Sequence, residues 1–157
     1  MEYLKKASVR PVEEVEERGK RVAEIIRNIR TNGDTALVEY NSRFDGNTRA
    51  ALRVTREEID TAYAKMTQQE LDDLRRAADH IRKFAQAQKG CLTELDGFSN
   101  AAGATLGHRV IPVTSCGCYV PGGSYPLFST ALMLIIPAKV AGVARVAACA
   151  PAVKGTT

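Results

Sequence analysis

At 157 residues, with 45% hydrophobic and 25% charged side chains, the chain has the composition of an ordinary globular protein long enough to build a core. Lys and Arg number 22 against 18 Asp and Glu; no acidic residue follows Asp96, so the whole +4 lies in the last 61 residues, on Arg109, Lys139, Arg145 and Lys154. Four spaced cations suit a phosphate or nucleotide and are too few for a nucleic-acid footprint, the opening Met1-Glu-Tyr-Leu-Lys-Lys is too polar for a signal peptide, and the apolar run from Leu127 to Val143 is broken by Pro137, Lys139 and Gly142 before it reaches a membrane span.

Residues 12–31 place Val15, Val22, Ile25, Ile26 and Ile29 on one helical face, with Glu in the early turns and Arg in the late ones, as the helix dipole favours. Gly33 is expected to stop this helix in a left-handed conformation and Asp34 to cap the next, which turns Ala36, Leu37 and Tyr40 inward and ends before Asp45-Gly46. Ala51 to Val54 reads as a short extended piece. Two capping boxes follow. Thr55-Arg-Glu-Glu58 precedes Ile59, Ala62, Tyr63 and Met66; Thr67-Gln-Gln-Glu70 opens a long helix through Leu71, Leu74, Ala78, Ile81 and Phe84 that ends near Lys89, with Gly90 beyond it.

From Cys91 the pattern turns to glycines and β-branched residues, through Leu92, Leu95, Phe98, Gly103, Gly107 and the run Arg109 to Val113, which predicts strands or extended segments. A strand through Gly117 to Val120 then leads into Pro121-Gly-Gly123. A buried helix around the unbroken apolar stretch Ala131 to Ile136 is expected next, with Pro137 expected to kink it or break it in two, and a last strand runs from Arg145 to Cys149. The fold class is thus α/β: a helical N-terminal region, residues 1–115, then an incomplete Rossmann-like βαβ unit over residues 116–157.

Gly122 and Gly123 permit positive φ and close approach of backbone to an anionic ligand, and two glycines after a strand equally make a plain tight turn. The full dinucleotide fingerprint is absent, because no carboxylate after Asp96 remains to hold a ribose. Tyr119 and Tyr125 flank the loop and can pack an aromatic base or simply half-bury themselves. Ser129 or Thr130 can cap the following helix, and Lys139 sits late in it, where a cation suits the dipole. His80 and His108 lack the spaced partners of a zinc site, and no nucleophile–His–acid arrangement can be assembled. Cys91, Cys116, Cys118 and Cys149 fit neither a zinc ribbon nor a CxxC redox motif; reduced core thiols in a cytoplasmic protein are the expectation.

Gly117-Cys-Tyr-Val-Pro-Gly-Gly-Ser124, Pro126-Leu-Phe-Ser-Thr-Ala-Leu-Met133 and Pro137-Ala-Lys-Val-Ala-Gly142 stand in an order and spacing that resembles the histidinol dehydrogenase family. Gly33-Asp-Thr-Ala-Leu37, Tyr40 with Phe44-Asp45, and Phe84-Ala-Gln-Ala-Gln-Lys89 extend the resemblance over nearly the whole chain, against about the first third of a family member. It implies an NAD-dependent, zinc-containing enzyme that oxidises an amino alcohol to an amino acid in two steps. It also implies a Glu-His acid–base pair and a homodimer with shared sites. The zinc ligands and the Glu-His pair of that family lie downstream of the matched region, so no catalytic or metal residue is carried over, and the 157 residues are expected to be a truncated, inactive piece. Tyr119 matches a family tyrosine that contacts NAD, and Pro121, Gly122 and Gly123 match the adjoining loop. A sulfopropanediol-type dehydrogenase and a non-catalytic nucleotide-binding or assembly module are the alternatives.

Overall fold

Five helices and four short strands follow one another in a computed structural model that describes residues 12–122 and 127–151. The contacts divide the chain after Arg53 into two units. In the first unit, helices α1 (Val12–Asn32) and α2 (Asp34–Asp45) form a hairpin. Arg18 and Arg21 of α1 pair with Glu14 and Glu17 one turn earlier, which supports its solvent face. The two helices are pinned by Ala36, which is buried, and by a 2.9 Å hydrogen bond from the Asn28 side-chain amide to the Tyr40 hydroxyl. Tyr40 in turn stacks on Phe44, ring centroids 5.6 Å apart.

The turn between them differs from the expected one. Gly33 has φ 59° and ψ −139°, a conformation closed to most side chains though not the left-handed helical one. Gly33 itself is the N-cap and Asp34 the first helical residue, without a side-chain capping bond. One residue reverses the chain, which leaves no position outside the helix for Asp34 to occupy. Ala51 to Val54 pairs with no strand.

In the second unit, α3 (Arg56–Ala64) and α4 (Gln68–Gly90) each start with a complete capping box, Thr55 with Glu58 and Thr67 with Glu70. Helix α4 continues through Gly90 and closes on Cys91 in right-handed conformation, so no glycine stop is used. Strands β1 (Leu95–Phe98) and β2 (Leu106–His108) then make an antiparallel ribbon with an irregular register. The run Arg109 to Val113 stays outside any strand, since neither of the two-stranded sheets has an edge paired to it.

The parallel pair β3 (Ser115–Tyr119) and β4 (Arg145–Cys149) is joined by α5 (Phe128–Ala141), which packs on both strands and on α4. This is the βαβ unit of the expected α/β class. Pro137 lies inside α5 without dividing it. Proline denies the Met133 carbonyl its usual donor, but packing on one helix and two strands holds the segment in one piece. Ser129 and Thr130 are helical instead of capping: Leu127 is the N-cap and has no side-chain capping bond. At the other end the ammonium of Lys89 donates to the Val140 carbonyl at 2.9 Å, so a cation meets the negative end of α5, and that of Lys139 donates to the Ala144 carbonyl beyond the helix at 3.4 Å. The expectation of a buried α5 is corrected: none of its residues is buried, because among the described residues only α4 and the two strands cover it.

Candidate functional site

Parallel pairing fixes which side chains of β3 and β4 share a face. Cys116 aligns with Val146 and Cys118 with Ala148, while Ser115, Gly117 and Tyr119 align with Arg145, Ala147 and Cys149. Exposure alternates accordingly: Cys118 is buried on the covered face, and Ser115, Gly117 and Tyr119 are exposed on the other. Burial pushes the Cys118 thiol above its ordinary pKa, with the hydrogen bond to Cys116 next in effect.

Both strands end level, at Tyr119 and Cys149, and the sheet bond continues one step further through the Val120 N–H to the Cys149 carbonyl at 2.8 Å. Each strand end is followed two residues later by a proline, Pro121 and Pro151. Tyr119 is 61% exposed at the carboxyl end of the sheet, where open α/β sheets receive ligands. Pro121 is half-buried and Gly122 exposed beside it; Gly123, Ser124 and Tyr125 lie outside the described residues.

Gly122 does not use the positive φ that glycine permits; its constraint is space, because a β-carbon there would collide with the Pro151 ring, reaching Cγ first and lying 3.2 Å from Cδ. Pro151 and Cys149 were therefore the neighbours that sequence reasoning missed. The repeated spacing of strand end and proline, Tyr119 to Pro121 and Cys149 to Pro151, was the available clue.

The remaining candidates fall elsewhere. A hollow beside β1 and β2 is lined by Glu94, Asp96, His108 and Arg109, and two of these side chains bond the backbone around the ribbon. A ring nitrogen of His108 meets the Thr93 carbonyl at 2.8 Å, and Glu94 accepts from the Val110 N–H at 3.2 Å. His80 is exposed on α4, where Asp79 pairs with Arg82. Among the described residues no three His, Cys, Asp or Glu side chains gather where they could hold a metal ion. Nor is any described helix long and apolar enough to cross a membrane.

A sequence profile of the histidinol dehydrogenase family matches residues 8–157. The chain is 42% identical over 142 residues to a histidinol dehydrogenase of Geobacillus kaustophilus, a match covering 90% of this chain and 33% of that protein. It is 36% identical over 151 residues to the sulfopropanediol 3-dehydrogenase of Ruegeria pomeroyi, covering 96% of this chain and 34% of the relative. The crystal structure of histidinol dehydrogenase from Elizabethkingia anophelis superposes with a TM-score of 0.79 at 29% identity, over 97% of this chain and 33% of that one. The chain thus spans about a third of the length of the relatives it matches. With the family profile matching residues 8–157 and the solved histidinol dehydrogenase superposing over 97% of the chain, the chain belongs to the histidinol dehydrogenase family.

Proposed function

We propose that these residues form one wall of the NAD site of a dehydrogenase of the histidinol type, which oxidises histidinol to histidine. Tyr119 offers its ring to the nucleotide, Pro121 and Gly122 bring loop backbone beside it, and Gly123 is assigned as a cofactor contact by the family match alone. One observation carries this reading: a tyrosine 61% exposed as the last residue of a parallel strand, at the sheet end where such folds take ligands. When bound, NAD would supply the hydride acceptor. Residues 116–157 open the nucleotide-binding part and residues 1–115 belong to the first family domain.

Zinc is a different case. The described residues gather no metal-ligand set, so they do not fit the ion. On this reading the zinc ligands, the Glu-His pair and the alcohol contacts come from family sequence outside the matched third. The protein would work in the cytoplasm as a homodimer on a small alcohol, without nucleic-acid or membrane partners.

The test is a titration of the chain with NADH, followed by the emission of the nucleotide. Tyr119→Ala is expected to lose about tenfold in affinity, the scale of one lost aromatic stacking contact, and Tyr119→Phe to keep it. Absence of binding by the parent chain, or unchanged binding by Tyr119→Ala, would overturn the reading. The match to the sulfopropanediol enzyme supports a second substrate, which the nucleotide titration does not address. Assays with NAD, zinc and each alcohol do. The 157 residues on their own are expected to oxidise neither, and zinc-dependent turnover of one would both refute that and name the substrate.

A further inference from the structure

The loops that follow β3 and β4 are locked together sterically. The Gly122 α-carbon sits against the Pro151 ring so closely that a β-carbon would reach its Cγ well inside contact distance, its Cδ at 3.2 Å and its Cβ at 3.7 Å. A lysine or methionine tip could swing aside, but a proline ring is fixed to the backbone at two points and cannot. The Val120 N–H bond to the Cys149 carbonyl, 2.8 Å, holds the same two strand ends together just before the contact. The backbone of Pro121 and Gly122 is thus seated over the carboxyl end of β4 by a glycine that leaves room and a proline that fills it.

We propose that Pro151 is a positioning residue for the nucleotide loop: through Gly122 it sets how close the Pro121-Gly122 backbone lies to a ligand stacked on Tyr119. This rests on the NAD reading above. A side chain at position 122 would wedge the loop off the strand end and displace the backbone that faces the nucleotide. The interlock has a compensating partner. Alanine at 151 removes Cγ and Cδ and keeps only Cβ, whose 3.7 Å separation is ordinary contact, so the wedge disappears when both residues are alanine.

The experiment compares the parent chain, Gly122→Ala, Pro151→Ala and the double variant, with circular dichroism confirming helix content in each. NADH affinity should fall about tenfold in Gly122→Ala, as overpacking of a close contact would cause, and return in the double variant to within about threefold of Pro151→Ala. A second readout needs no nucleotide. Hydrogen exchange of the Val120 N–H, held by its 2.8 Å bond to the Cys149 carbonyl just before the contact, should quicken in Gly122→Ala as the loop lifts, and return to the parent rate in the double variant. If Gly122→Ala binds NADH like the parent, or the double variant stays as weak as Gly122→Ala, the positioning role is overturned. If the parent binds no NADH, the NAD reading falls, and the Val120 exchange rates separately decide the interlock. Rescue of protection supports it, and no rescue removes it as well.

Discussion

Cys118 and Cys149 lie on adjacent strands yet meet opposite surroundings. Cys118 is 4% exposed beneath α5, and Cys149 is exposed beside Tyr119. Burial first, and then the hydrogen bond to Cys116, hold the Cys118 thiol above its ordinary pKa of 9.0. A raised folded pKa means that the folded chain keeps a proton that the unfolded chain gives up. The associated stability is therefore full below pH 9.0 and falls away as pH rises beyond it. In maleimide labelling Cys118 is expected to react after Cys91 and Cys149, with its rate still rising above pH 9.0. Equal rates at Cys118 and Cys149 would show that α5 does not cover the sheet face. Two thiols two residues apart on one strand face were legible from the sequence, because alternation is local. That Cys149 stands beside Tyr119 was not, because it depends on the register between strands separated by a helix.

At the level of elements, local chemistry predicts well where only neighbours in sequence act. The second capping box is an example. Glu70 accepts from the Thr67 N–H at 2.8 Å and from its hydroxyl at 2.8 Å, and these bonds, the backbone one first, lower its pKa below the ordinary 4.5. A lowered folded pKa gives stability that is full above pH 4.5 and lost as pH falls through the folded value. Thr67→Ala should destabilise α4 by about 1 kcal/mol in thermal melts read by circular dichroism, with a smaller further loss in acid than the parent shows. An unchanged melting temperature would mean that the cap adds nothing. The same local reasoning does not account for the unbroken α5 at Pro137, nor for Gly33 taking the cap position expected of Asp34. Proline in a helix is unfavourable by itself, and only packing against α4, β3 and β4 explains why α5 stays whole. At Gly33 the competition lay between two helices separated by a single residue, which composition does not reveal. The loop was legible as a family feature, whereas its steric seat on Pro151 required the fold.

For the whole molecule the dominant fact is how much apolar surface stays uncovered. Within the first unit Val15 is 56% exposed and Val22 54%; within the second Phe84 is 67%, Ile111 76% and Phe128 63% exposed. Only four hydrophobic residues, Ala36, Ala85, Cys118 and Val143, are buried among those described. Helix α5 is apolar on every side, the pattern of a helix surrounded by protein, yet it is covered only by α4 and two strands among the described residues. Among the described residues the parallel sheet is likewise covered on one face, although parallel sheets are almost always covered on both, and its strands have unpaired edges. Relatives about three times as long have chain to spare for such surfaces. The 157 residues by themselves can bury them only against one another. Self-association is therefore expected: sedimentation should show dimers or larger species that grow with concentration, and a dye that reports apolar surface should fluoresce strongly with the dilute chain and less per chain as association proceeds. A monomer at high concentration that leaves the dye dark would show that these faces close within a single chain.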